Sequence, residues 1–218
     1  MTKEIRKKLF MALGLLTAFA LWTAALCFVD VQNIGPLGSE VGMAALNGSF
    51  HRLTGVHMVL YTVTDWLGLV PVGVGLGFGV LGLTQWIRRR KLRKVDPGIL
   101  VLGGYYLAVL AVYLLFEEVV INRRPVLIEG CLEASYPSST TLLVMCVMPT
   151  ALMQLRSRIK NRARNTAVST AIAAFTAFMV IGRLISGVHW LTDIIGGALL
   201  GAGLVMLYAA VCDRVSEK

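Results

Sequence analysis

The residues best able to do chemistry fall in one stretch, Gly182-Arg183-Leu184-Ile185-Ser186-Gly187-Val188-His189-Trp190-Leu191-Thr192-Asp193, set between two long apolar runs. His189 and Asp193 are four residues apart, which on a helix puts them on one face, one turn apart. A carboxylate so placed can hold an imidazole by one ring nitrogen and leave the other free to act. Arg183 ends the upstream apolar run, where a charge is costly and points to function by default. Taken alone, the same residues also fit side chains snorkelling at a helix end.

A second reactive stretch lies at 117–141. It opens with Glu117-Glu118, continues to Asn122-Arg123-Arg124-Pro125, and closes with Tyr136-Pro137-Ser138-Ser139-Thr140-Thr141. Ser138, Ser139 and Thr140 precede an apolar run and are N-cap residue types. A helix start also offers free N–H groups and the positive end of a dipole, which suits an anion such as phosphate. Capping and interfacial arginines explain each feature separately. They do not explain why two loops each set arginine beside anion-binding or nucleophilic groups.

The rest of the chain must hold these loops together. It has 218 residues, 56% hydrophobic and 15% charged, with a mean hydropathy of +0.73. Soluble domains carry about 25% charged residues, so this composition belongs to an integral membrane protein. Six apolar runs approach the roughly 20 residues a helix needs to cross a bilayer: Leu9–Val29, Val59–Ile87, Ile99–Ile121, Thr141–Leu155, Ala167–Ile185 and Leu191–Val211. The fourth is short and polar at its start. No polar linker divides the chain, so residues 1–218 are expected to form one domain. The expected fold is all-α: a polytopic bundle of six transmembrane helices.

The net charge of +9 is distributed with the spans. Lys3, Arg6, Lys7 and Lys8 precede the first. Arg88, Arg89, Arg90, Lys91, Arg93 and Lys94 follow the second, and Arg156, Arg158, Lys160, Arg162 and Arg164 follow the fourth. Arg214 and Lys218 end the chain. With alternating spans these fall on one side, leaving Arg52, Arg123, Arg124 and Arg183 on the other. That is the positive-inside pattern, and it places both termini in the cytoplasm and the reactive loops outside. The basic runs read as topology signals and contacts to membrane lipids, not as a nucleic-acid surface. The apolar start is longer than a signal-peptide core and lacks a small-x-small cleavage site, so it reads as an uncleaved span.

Other features weigh less. Cys27, Cys131, Cys146 and Cys212 show no metal-ligand spacing; Cys27 and Cys131 share the outer side, where a disulfide is one option. His51 and His57 lie in the first outer loop, with the sequon-like Asn47-Gly48-Ser49. Gly77-Phe78-Gly79-Val80-Leu81-Gly82 fits a dinucleotide-binding pattern, but it sits inside an apolar run with no strand before it. Gly73 to Gly77, Gly75 to Gly79 and Gly197 to Gly201 instead read as small-residue spacings for close helix packing. Asp65, inside the second span, needs a partner if ionised; an outer arginine or a polar group near the outer end are candidates.

These segments resemble the type-2 phosphatidic acid phosphatase family, the lipid phosphate phosphatases. That family shows Lys-x6-Arg-Pro, then Pro-Ser-Gly-His, then Ser-Arg-x5-His-x3-Asp. The chain has Arg124-Pro125, Pro137-Ser138 and Arg183-x5-His189-x3-Asp193 in the same order, with the third spacing complete. The resemblance implies that His189 is a nucleophile forming a phosphohistidine, oriented by Asp193. It implies that Arg124 and Arg183 clamp the phosphoryl group, with Ser138, Ser139 and Thr140 completing the cradle. It also implies a bacterial plasma-membrane enzyme acting on the outer face without metal or other cofactor.

Three positions depart from the family. Glu117 stands where the family has lysine, Ser139-Thr140 where it has Gly-His, and Gly182 where it has serine. The lost histidine is the family's general acid. A lipid monophosphate leaving from a pyrophosphate is already a weak base and needs that acid least, which favours a polyprenyl pyrophosphate substrate. Alternatively His51, His57, Glu118 or a buried Glu117 replaces the acid. A third option is a lipid-phosphate binding or transport protein that has lost catalysis. Retention of His189 and Asp193 at full spacing favours chemistry, since a binder needs only the arginines.

Overall fold

The computed structural model describes residues 1–217, so Lys218 lies outside the described residues. It is all-helical: α1 (Lys3–Phe28), α2 (Ala44–Thr54), α3 (Met58–Leu67), α4 (Leu69–Arg89), α5 (Pro97–Glu118), α6 (Ser139–Arg158), α7 (Arg162–Ile185) and α8 (Leu191–Ser216). Five helical stretches are long and apolar enough to cross a membrane: α1, α3 with α4, α5, α7 and α8.

The expected fourth span, α6, is not among those five. Its position explains the difference. α6 packs against α4, α5, α7 and α8, and Thr141, Thr150 and Gln154 are buried along it. A helix enclosed by other helices meets protein rather than lipid. Two of its polar groups find partners there: Gln154 Nε2 donates to the Tyr208 hydroxyl at 2.5 Å, and Thr150 Oγ1 lies 3.3 Å from the Tyr106 hydroxyl.

The expected second span is interrupted at one residue. α3 and α4 meet at Gly68, and Pro71 follows in the first turn of α4. The proline ring has no N–H and crowds the carbonyl four residues back, that of Leu67. The combined stretch is 32 residues long. At about 1.5 Å per residue it reaches about 48 Å, well beyond a hydrocarbon core of about 30 Å. A stretch that long exceeds what one upright crossing needs.

The glycine patterns divide. Side chains added at Gly197 or Gly201 of α8 would meet Thr141 Cβ at 3.2 Å and Met145 Cβ at 2.7 Å, so this pair does let α6 approach. Gly196 extends the stripe: a Cβ there would lie 2.4 Å from the Tyr136 ring. The α4 reading is corrected. Nothing among the described residues lies within 4 Å of a Cβ at Gly73, Gly77 or Gly79, whereas Gly75 meets the Tyr106 ring and Gly82 meets Ile99 of α5 at 3.0 Å. α4 lies at the edge of the bundle, with Leu76 and Val80 exposed, so most of its glycines have no helix to meet. The four cysteines are free, including Cys27 and Cys131. Asn47 of the sequon is buried: its amide donates to Thr192 Oγ1 at 2.9 Å and its Oδ1 accepts from Thr192 N at 3.2 Å.

Cross-links sort the two ends of the bundle. Lys8 of α1 meets Asp213 of α8 at 2.6 Å. Arg158 of α6 meets Asp96 before α5 at 2.5 Å, and Gln154 ties α6 to the same end of α8. Both termini therefore share one face. The opposite face gathers the loops: Gly42 N donates to Asn122 Oδ1 at 3.1 Å, and His57 N to the Ser186 carbonyl at 2.9 Å. On the positive-inside expectation, the terminal face would be the cytoplasmic one. Cys131 is exposed on the other face. A membrane-impermeant thiol reagent added outside intact cells should label a chain whose only cysteine is Cys131. It should not label one whose only cysteine replaces Lys91. The reverse result would invert the protein in the membrane.

Candidate active site

The loop between α5 and α6 folds back on itself beneath the site. Arg124 N donates to the Glu133 carbonyl at 3.1 Å, and Ser135 N to the Asn122 carbonyl at 2.9 Å. Its far end is tied to α8, because Ser138 N donates to the Asp193 carbonyl at 3.1 Å. Gly187, with φ of +70°, lets the α7–α8 turn pass against Gly55, whose carbonyl lies 1.9 Å from where a Cβ would stand. These ties bring Arg124, Ser135, Ser138 and His189 to the start of α8.

His189 and Asp193 do meet, but not along a helix. His189 precedes α8, and Asp193 is in its first turn. The Asp193 carboxylate caps that helix, accepting from Trp190 N at 2.8 Å. Its Oδ2 lies 3.7 Å from His189 Nδ1, too far for a hydrogen bond. Ser135 fills the gap. Its hydroxyl donates a very short bond to Asp193 Oδ2 and lies 3.1 Å from His189 Nδ1. A hydroxyl has one proton. When Asp193 is ionised and takes that proton in its hydrogen bond, Ser135 Oγ can only accept from the ring, so Nδ1 carries the hydrogen. Nε2 is left with its lone pair, buried and without a hydrogen-bond partner. The expected direct contact between His189 and Asp193 is therefore corrected to a relay through Ser135. Nothing local in the sequence marks Ser135, because its partners are 54 and 58 residues away.

Electrostatics reinforce this state. Burial pushes the His189 imidazole well below its ordinary pKa, and the nearby charges of Arg124 and Arg183 push it the same way. The ring is thus held neutral, as a nucleophile must be.

The two arginines are buried, Arg183 at 1% exposure. Arg183 Nη2 donates to Asp65 Oδ1 at 3.3 Å, which gives the carboxylate of the second span its arginine partner. Nε and Nη1 of Arg183 stay unpaired, as does Nη1 of Arg124. Glu133 Oε2 lies 3.0 Å from Arg124 Nε without hydrogen-bond alignment. Unpaired buried guanidinium N–H groups are ready donors for an anion.

Ser138 stands at the N-cap of α6, yet its side chain makes no capping bond. Its hydroxyl is buried and unpaired, so the capping role is corrected to a spare hydroxyl beside the helix start. Ser139 lines a cavity of about 490 Å³ with Arg124, Ser135 and His189. Tyr113, Phe116, Val120 and Leu142 form its apolar wall, and Glu117 borders it. Thr140 turns elsewhere, towards Gly68 at the break between α3 and α4.

The remaining candidates stand apart. His51 Nε2 contacts the Gly187 carbonyl at 3.1 Å, and its ring packs on Trp190. His57 is exposed and bonds the Thr54 carbonyl. Glu118 is exposed and does not line the cavity. Of the four residues named as substitute acids, the cavity takes in Glu117 alone.

A family model described as the PAP2 superfamily matches residues 72–216. That span includes Arg124, Arg183, His189 and Asp193 and begins after α3. No curated protein matches the sequence. Among solved structures, the fold is similar to that of a transmembrane PAP2-type phosphatidylglycerolphosphate phosphatase from Bacillus subtilis. The TM-score is 0.55 at 20% identity, covering 94% of this chain and 98% of that one.

The relay predicts a ring state that can be read directly. With His51 and His57 substituted and the remaining histidine labelled with ¹⁵N, His189 should be neutral at pH 6.5, with the proton on Nδ1. It should stay neutral on further acidification, because its pKa lies well below the ordinary value. Ser135→Ala should mix the two tautomers. A charged ring at pH 6.5, or an unchanged tautomer in Ser135→Ala, would refute the relay.

Proposed function

The chain belongs to the PAP2 superfamily, and from that premise we propose that it is a lipid phosphatase working at the outer membrane surface through a phosphohistidine on His189. The observation that carries this reading is the buried His189 Nε2, freed by the Ser135 relay and bordering a cavity it shares with Arg124. The mainly polar lining beside Arg124 and His189 supports a phosphoryl head there, with Phe116 and Val120 left to border the start of a lipid tail.

In the first step Nε2 attacks the terminal phosphorus in line. The N–P bond forms as the P–O bond to the lipid breaks, and the electron pair leaves with the oxygen. The ring becomes cationic, and the charge is met at Nδ1 through Ser135 by Asp193. Arg124 and Arg183 hold the equatorial oxygens, where negative charge accumulates. In the second step water attacks phosphorus, the N–P bond breaks, and orthophosphate leaves.

The preferred substrate is a lipid pyrophosphate, with a polyprenyl tail favoured. Thr140 holds the position of the family's acid, and threonine does not donate a proton at neutral pH. A pyrophosphate's leaving group is a lipid monophosphate, which departs with little acid help. Glu117 is the carboxylate best situated to supply a proton to poorer leaving groups.

Purified protein should release phosphate from lipid pyrophosphates clearly faster than from matched monophosphates. His189→Ala should abolish release and keep lipid-phosphate binding. Asp193→Asn should slow release without abolishing it. Arg124→Lys and Arg183→Lys keep charge but lose the planar fork, so turnover should fall strongly. Equal rates on both substrate types would sink the leaving-group argument. Binding with no release from any lipid would favour a non-catalytic binder.

A further inference from the structure

One face of α3 meets the site. Tyr61, Thr64, Asp65 and Gly68 recur at the spacing of a single helical face. Each touches a site element. The Tyr61 ring centroid lies 4.8 Å from Cζ of Arg183 and 5.8 Å from Cζ of Arg124. Asp65 accepts from Arg183 Nη2. Thr64 packs where a side chain at Gly182 would stand, 2.8 Å from its Cβ, and Gly68 faces Thr140.

Two like charges sharing one ring need explaining. The guanidiniums repel each other, and an apolar setting strengthens that repulsion. The Tyr61 π face attracts both, and Asp65 neutralises one of them from the α3 side. The remaining N–H groups, Nε and Nη1 of Arg183 and Nη1 of Arg124, are buried and unpaired.

We infer that α3 is the positioning element of the phosphate clamp: Tyr61 is the platform on which both arginines rest, and Asp65 fixes the turn of Arg183. The inference rests on the reading of Arg124 and Arg183 as phosphoryl ligands. Neither α3 residue touches the phosphoryl group; both act through the arginines. A cation–π contact runs from about 0.5 kcal/mol when exposed to about 2 when desolvated, or roughly 2- to 30-fold in affinity.

The test uses orthophosphate and the full chain in detergent, with affinity taken from the dependence of Tm on phosphate concentration. Tyr61→Leu should weaken phosphate binding within that roughly 2- to 30-fold range, and Tyr61→Phe should recover most of the loss. Asp65→Asn and Asp65→Leu carry the same charge, but only asparagine keeps an acceptor for Nη2. Asp65→Leu should therefore bind phosphate more weakly than Asp65→Asn. A purely structural role would lower the phosphate-free Tm of the leucine variants and leave their phosphate affinity unchanged. Tyr61→Met, which fills the space without a π face, replaces Tyr61→Leu if that chain does not survive solubilisation. Equal affinity in Tyr61→Phe and the variant without a ring, or in the two Asp65 variants, overturns the role of α3 alone. A parent chain that binds no phosphate overturns the clamp, and this inference with it.

Discussion

The carboxylate of Asp193 is where the site is assembled. Its Oδ2 accepts the Trp190 N–H and the Ser135 hydroxyl, while its main-chain oxygen accepts Ser138 N–H. One residue thus caps α8, orders the α5–α6 loop and anchors the start of α6. A buried carboxylate needs donors; Oδ2 has two of them, while Oδ1 is buried without a partner. Here the Ser135 bond also sets the tautomer of His189, because Ser135 can give its proton once. Helix initiation and the orientation of His189 rest on the same set of hydrogen bonds.

The second constraint is the crowding of positive charge. Two buried arginines beside an imidazole make protonation of that imidazole unfavourable. The field that attracts an anion therefore also keeps the nucleophile unprotonated. Asp65 and Glu133 offset the arginines from opposite sides, the first by a hydrogen bond and the second by proximity alone. Neither occupies all of its arginine's donors, so a phosphoryl group can join without displacing either carboxylate. The π face of Tyr61 adds attraction without consuming a donor.

The parts of this arrangement that follow from spacing along the chain were legible in the sequence. Arg183, His189 and Asp193 belong to one short segment, and the apolar runs mark the helices between loops. Contacts made across the fold were not. Ser135 looks like an ordinary loop serine until α8 is placed beside it. Tyr61 looks like one aromatic in an apolar run. α6 reads as a weak span because hydropathy measures preference for lipid, whereas α6 is solvated by other helices. The α4 glycines read as packing positions because spacing shows a smooth face without showing whether a partner is there. The His51 and His57 side chains share the outer side with His189, yet α2 carries the first onto the Gly187 carbonyl and Trp190 and leaves the second exposed.

Two departures from the family motifs have a common geometry. Gly182 stands where the family has serine, and a side chain there would run into Thr64 of α3. Thr140 stands where the family has its acid, and it faces Gly68 at the end of the same helix. α3 approaches so closely that one position can bear no side chain, and the other is turned from the cavity towards the break at Gly68. The same approach puts Tyr61 beneath the arginines and Asp65 on Arg183. Space taken from the motif positions is thus space given to the arginine platform. The altered motif positions and the closely held arginines are then two consequences of one helix placement.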